Sequence, residues 1–315
     1  MKIGIDIMGG DFAPDACVKG AIIARQHLVS DDQLVLFGNE QIILDLLHKE
    51  KADPDGFSII HAPDIIHMQD YPSRAFIKKV KASMVVGFRS LSTGEIDGFA
   101  SAGNTGAMFV GAMQNIRPVP GVLRPAIAAC YPTINGQNNL ILDVGLNPDS
   151  KPDVLYQYGQ LGSLYFRHVN NVENPKVGLL NIGKEPGKGN LVSKSAYELM
   201  SESPDFNFIG NIEGNQIFDH DLVDVVVTDG FTGNIVLKQT EAFYGLIQKR
   251  GIKDDYFNRL NFENYGGTPI LGVNGNVVIG HGISNEKSIA NMILKTKQII
   301  KGQLSSHIKA FYDYE

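Results

Sequence analysis

The sequence predicts an α/β fold on a mostly parallel sheet, and three observations carry that reading. Short aliphatic runs such as KIGIDI and QLVLFG alternate with longer amphipathic segments from one end of the chain to the other. Of the 315 residues 34 are glycine, and many follow directly on those runs, where tight strand-to-helix turns need them. A content of 43% hydrophobic and 20% charged residues suits a folded enzyme and excludes disordered and fibrous chains.

Taken in order, KIGIDI supplies the first strand and residues 14–28 the first helix, opened by Pro14. QLVLFG precedes a helix over 39–49, FSIIHA one over about 74–91, and IDGFAS one over 103–115. NLILDVG precedes a helix over 152–169, and KVGLLNI one over 189–200. DLVDVVVTDG leads into a helix over 231–250, and NVVIGHG into a closing helix from 284 to about 310. Such alternation implies βαβ units with helices on both faces of the sheet, and ligands in such sheets gather at the carboxyl ends of the strands. The stretch at about 250–275, RGIKDDYFNRLNFENYGGTPILG, is polar, aromatic and glycine-containing, and reads as a short irregular excursion. With no low-complexity linker or internal repeat, residues 1–315 are expected to form a single two-lobed domain.

Bulk charge narrows the function classes. A net charge of −6 and a pI near 5.8 dictate no basic surface, so no nucleic-acid partner is expected. The two cysteines, Cys17 and Cys130, lie far apart and outside any C-x-x-C spacing. They indicate neither a disulfide framework nor a zinc site, and no metal or other cofactor is expected. They read as small buried hydrophobes suited to a reducing cytoplasm. No apolar run reaches the roughly 18 residues that a membrane span requires.

Five turns at strand ends combine glycine with polar side chains. Asp6, Met8, Gly9, Gly10 and Asp11 follow the first strand; the glycines let backbone N–H groups approach an anion, while Asp6 and Asp11 either anchor the loop or contact a polar substrate. A tight turn with Asp11 capping the helix is the plainer alternative. Ser101, Gly103, Asn104, Thr105 and Gly106 form SAGNTG at a helix start, where N–H dipoles and two hydroxyls suit phosphate. A capped turn remains open there too. The segment lacks a P-loop lysine and the G-x-G-x-x-G spacing, so neither ATP nor NAD is encoded.

Lys184 and Lys188 stand close to a helix N-terminus, where their charge is unfavourable unless an anion sits between them; two solvated lysines are the alternative. Asp229, Thr232 and Asn234 of TDGFTGN offer hydrogen-bonding groups or a capped turn, and the segment 142–148, LDVGLNP, has the same design. His281, between Gly280 and Gly282, is the histidine best placed for a site or simply packs at a helix entrance. Together the turns argue for a cleft that receives an anion.

These segments resemble the phosphate acyltransferase (PlsX-type) family. DIMGGDFAP, SAGNTGA, LDVGLNPDSKP, VGLLNIGKEPGKGN, VVVTDGFTGNIVLK, NYGGTPILGV and GHGIS occur in that family's order from residue 4 to about 285. The resemblance implies a three-layer α/β/α fold like that of isopropylmalate dehydrogenases and phosphate acetyltransferases. It also implies a cytoplasmic homodimer that moves a fatty acyl group from acyl carrier protein to inorganic phosphate, for phospholipid synthesis. By matched position it assigns catalysis to Lys188, Asn234 and His281, and substrate contacts to the Asp6–Asp11, SAGNTG and Asp229–Thr232 turns.

Ala82 and Ile7 depart from the family's usual residues, as does a short mixed-charge stretch over 250–264 where other members carry a basic hydrophobic hairpin. Membrane contact is therefore expected to be peripheral at most. Arg74, Lys78, Lys79 and Lys81 are candidates for docking an acidic carrier, or form a solvated helix face. The rival functions are a hydroxy-acid dehydrogenase of related fold and a non-catalytic carrier-binding scaffold.

Overall fold

The computed structural model describes residues 1–219 and 221–313, and the chain divides into two compact units. Unit 1 is Met1–Pro118 with Phe262–Ser305, and unit 2 is Val119–Asn261 with Ser306–Glu315. The architecture is α/β with a mostly parallel sheet, as the alternating pattern predicts.

Unit 1 begins with β1 (Lys2–Asp6), α1 (Asp15–Arg25), β2 (Gln33–Gly38), α2 (Glu40–Lys49) and β3 (Phe57–His61). Then come α3 (Pro72–Lys78), α4 (Ser83–Ser92), β4 (Gly98–Ser101) and α5 (Thr105–Gly111). Unit 2 contributes β5 (Ala126–Pro132), β6 (Asn138–Leu142), α6 (Pro152–Val169), β7 (Lys176–Leu180), α7 (Leu191–Ser201), β8 (Asn207–Ile212), β9 (Val225–Val227), α8 (Gly230–Lys249) and α9 (Asp255–Asn258). Unit 1 resumes with β10 (Thr268–Leu271), β11 (Asn276–Ile279) and α10 (Glu286–Lys301); α11 (Leu304–Asp313) follows.

The strands of unit 1 run in the order β3-β2-β1-β4-β11-β10, parallel except for β10 against β11. Those of unit 2 run β5-β6-β9-β7-β8, parallel except for β5 against β6. The central strands read as continuous aliphatic runs because both faces are covered: Ile3, Ile5, Leu34, Leu36 and Phe99 in unit 1 are wholly buried, as are Leu140, Ile141, Leu142 and Val225 in unit 2. Helix starts follow capping chemistry. Asn39, Asn190 and Asn285 each accept a backbone N–H of the first turn, from Ile42, Ser193 and Ser288, at 3.2, 2.8 and 3.0 Å.

Three expectations are revised. The helix expected over 74–91 is two helices, because Lys79 leaves helical geometry and its ammonium is held by Asp70 at 2.6 Å and by the Ile65 carbonyl at 2.8 Å. The closing helix breaks after Lys301, where Gln303 adopts a φ of 49°. The stretch about 250–275 is not wholly irregular: it holds α9 and β10, which a pattern search passes over because β10 contains Pro269 and returns directly as a hairpin into β11. Strands β5 and β8 also lack the strand-then-helix rhythm that marks the others.

Candidate functional site

In unit 1 the ends of three neighbouring strands, β1, β4 and β11, are laced together. The Gly280 N–H donates to the Ser101 carbonyl at 2.8 Å, and the Asp11 N–H to the Gly282 carbonyl at 2.8 Å. Beneath them lies Asp6, which is 1% exposed. Its carboxylate accepts from the Met8 N–H at 3.0 Å and from the Ser101 hydroxyl at 2.7 Å, and Ser101 Oγ in turn accepts the Gly103 N–H at 3.0 Å. Burial pushes the Asp6 carboxyl up, against hydrogen bonds from Ser83, Ser101, Met8 and Gly9. Gly9 is required here: a β-carbon would stand 2.7 Å from Ser101 Oγ and 2.9 Å from the Gly103 nitrogen, and closer still to Asp6 Oδ2.

The side chains of these turns divide by what they touch. Asn104 caps α5, accepting the Ala107 N–H at 3.0 Å, while its amide nitrogen donates to the carbonyls of His67, Met68 and Asp70 at 3.2, 3.0 and 3.1 Å. Its carboxamide is thereby committed to fastening the loop over 67–70. The Thr105 hydroxyl is exposed and has no hydrogen-bond partner among the described residues. The first-turn N–H groups of Thr105 and Gly106 have no partner within α5, as at any helix start. Gly10, with a φ of 118°, lies against Ala102 and the Gly282 carbonyl, Asp11 is exposed, and the ring of half-buried His281 meets that of Phe262 at a tilt, 5.0 Å between centroids.

In unit 2, Asp143 organises the turn after β6. Wholly buried, it accepts the Ile127 N–H at 2.9 Å through Oδ1 and the Leu146 and Asn147 N–H groups at 3.1 and 2.5 Å through Oδ2. Burial pushes its carboxyl up, opposed by those bonds. The start of α8 settles on this turn, since a β-carbon at Gly233 would collide with the Asp143 carbonyl. Asp229 caps α8, accepting the Thr232 N–H at 2.7 Å and hydroxyl at 3.0 Å, so these two side chains satisfy each other. Asn234 is exposed beside Gly145, its carboxamide without a partner among the described residues.

The loop after β7 is shaped by asparagines. Asn181 donates to the Lys188 carbonyl at 3.2 Å and to Asn211 Oδ1 at 3.0 Å, and Asn211 donates to the Glu185 carbonyl at 2.9 Å. This fixes the backbone but leaves the Lys188 ammonium exposed, with Glu185 at a loose 4.0 Å. Cys17 is buried against the Gly9 carbonyl at 3.5 Å, and burial together with Asp6 pushes its thiol up, which suits packing and not nucleophilic attack. Sequence reading placed Asp143 and Asn181 in candidate turns without foreseeing that they hold the backbone, and gave no role to Asn211 or to the loop over 67–70. Asn211 is hidden within β8, and the loop acts through backbone carbonyls and leaves no signal in residue type.

The α/β/α fold is shared with a solved phosphotransacetylase from Streptococcus pyogenes, which matches with a TM-score of 0.67 at 18% identity, over 95% of this chain and 94% of that one. The chain belongs to the fatty acid synthesis protein family, whose model matches residues 1–307. It is 39% identical to the phosphate acyltransferase of Desulfitobacterium hafniense (strain DSM 10664 / DCB-2), over 98% of this chain and 97% of that protein. It is 40% identical to the phosphate acyltransferase of Halothermothrix orenii, over 98% of each. The family resemblance read from the motifs is thereby borne out.

Proposed function

We propose that this protein transfers a fatty acyl group from acyl carrier protein to inorganic phosphate, giving acyl phosphate for phospholipid synthesis. The observation that carries the reading is the SAGNTG turn: Asp6, Ser101 and Asn104 are spent holding it, while the Thr105 hydroxyl and the first N–H groups of α5 remain for an anion. The names of relatives near 40% identity support phosphate as that anion.

In the reaction a phosphate oxygen forms a bond to the thioester carbonyl carbon, and the carbon–sulfur bond breaks. The electron pair leaves on sulfur as a thiolate with a pKa of about 8.5, which needs little acid assistance before it takes a proton. What remains is orientation and stabilisation of the developing oxyanion. Asn234, whose carboxamide has no partner among the described residues, is the proposed donor to the oxyanion, and Lys188, whose exposed ammonium is only loosely paired with Glu185, the counter-charge. His281 is the proposed proton source for the departing sulfur. A cytoplasmic homodimer is proposed as the working form.

The test is release of carrier thiol from palmitoyl-acyl carrier protein by the purified protein, with and without phosphate. Release that depends on phosphate, with a hydroxamate formed on adding hydroxylamine, is expected. Equal release in both conditions would overturn the reading, as would none in either.

A further inference from the structure

The basic segment between the loop over 67–70 and α4 presents one face to solvent. Arg74, Ile77 and Lys78 share the exposed face of α3 by helical spacing, and Lys81 is exposed in the turn that follows the helix, while Ala75, Phe76 and Ala82 are buried. Lys79, counted with them in the sequence, is withdrawn into its bonds with Asp70 and the Ile65 carbonyl. Tyr71, Ile77 and Val80 are 68%, 63% and 52% exposed, an unusual openness for three large apolar side chains so close together. Arg74 lies 5.5 Å over the Tyr71 ring, which holds its charge in place at the patch.

This face is fastened to the anion-binding turn. The three carbonyls gripped by Asn104 belong to the loop that leads into α3, and Gly106 of the turn packs against Pro72, the first residue of α3. A macromolecule seated on α3 is therefore docked on the structural neighbour of the site itself.

We infer that the exposed face of α3 is the docking surface for an acidic carrier protein that delivers the acyl thioester, an inference that rests on the function proposed above. Three cations around apolar side chains, on a chain of net charge −6, are complementary to an acidic protein helix with an apolar ridge. An anionic membrane is the weaker match, because α3 has only 7 residues, its inner side is committed to the core, and stable membrane anchoring takes more than one such signal.

The test compares wild type, the triple reversal Arg74→Glu, Lys78→Glu, Lys81→Glu, and a charge-matched control, Lys51→Glu, Lys301→Glu, Lys309→Glu. Phosphate-dependent turnover of acyl-carrier protein is measured across ionic strength. The expected result is a KM for the acyl-carrier protein raised about tenfold or more in the triple reversal, with kcat kept at saturation and the salt dependence of wild type lost; the control stays at the wild-type value. Should the triple reversal fail to fold, Lys78→Glu alone is expected to raise KM about threefold. An unchanged KM in a folded variant overturns the inference while wild-type turnover leaves the transfer reading standing. Absence of wild-type turnover overturns both. Loss of binding to anionic vesicles with carrier KM unchanged overturns the inference in favour of a membrane.

Discussion

Gly9 offers a sharp test of how the anion turn is held. A methyl group there points at three atoms that have nowhere to go: Asp6 Oδ2, Ser101 Oγ at 2.7 Å and the Gly103 nitrogen at 2.9 Å. Ordinary contact needs roughly 1 Å more. Asp6 and Ser101 are buried and bonded to each other at 2.7 Å, so neither can swing aside as a flexible side chain would. The displacement must pass to the backbone of 101–103 and so to the start of α5. Gly9→Ala is expected to destabilise the protein by about 1–3 kcal/mol, as overpacking of a buried site does. A misplacement of about 1 Å at the phosphate site is expected to lower turnover about 10²-fold. The companion is Gly245→Ala, in the interior of α8, where nothing lies within 4 Å of the added carbon. That change is expected to stabilise the helix by about 0.5–1 kcal/mol and leave turnover alone. Thermal unfolding and phosphate-dependent thiol release measure both effects. A Gly9→Ala protein that melts and turns over like wild type would refute the packing argument.

Other expectations follow from the same geometry. Asn104→Asp keeps the cap on α5 but loses the amide that holds three carbonyls, so a raised KM for phosphate is expected; an unchanged KM would separate the loop over 67–70 from the site. Asn234→Ala is expected to lower kcat about 10²–10³-fold with little change in melting temperature, and a fall of less than threefold would remove it from oxyanion stabilisation. Replacing both Cys17 and Cys130 by Ala is expected to keep activity, and a large loss in a folded variant would revive an acyl-cysteine route. Burial pushes the Asp32 carboxyl up, but Lys297 at 3.1 Å and the amino terminus at 3.3 Å more than offset it and hold it below the usual range. The stabilisation is present above the unfolded-state value of about 3.9 and is lost as pH falls through the lower folded value. Denaturation of Asp32→Asn should therefore show a deficit at pH 7 that closes in acid, and a deficit independent of pH would contradict the pairing.

Much of the fold was legible because most strands are buried on both faces and read as aliphatic runs, each ended by a turn that only glycine and short polar residues tolerate. β5, β8 and β10 escaped because they pair without a following helix of the expected rhythm, and the break at Lys79 escaped because its cause, Asp70, lies nine residues away in a loop. The turns of the site were found from residue type, but the division of labour within them was not. Asn104 and Asp6 look like ligand-binding groups in sequence, yet their polar atoms are committed to carbonyls, amides and a serine hydroxyl. Lys188, by contrast, is held by its backbone carbonyl while its exposed ammonium is only loosely paired with Glu185, and the Asn234 carboxamide has no partner among the described residues. Such a distinction depends on partners distant in the chain and becomes visible only when the chain is folded.

Transfer to phosphate is tested most directly with phosphate carrying ¹⁸O at all positions. The protein is incubated with palmitoyl-acyl carrier protein and the labelled phosphate, and the products are read by mass spectrometry. Attack by a phosphate oxygen predicts palmitoyl phosphate that retains every labelled oxygen and forms only when phosphate is present. Unlabelled palmitate released at the same rate with or without phosphate would contradict the account, because water and not phosphate would then be the acceptor.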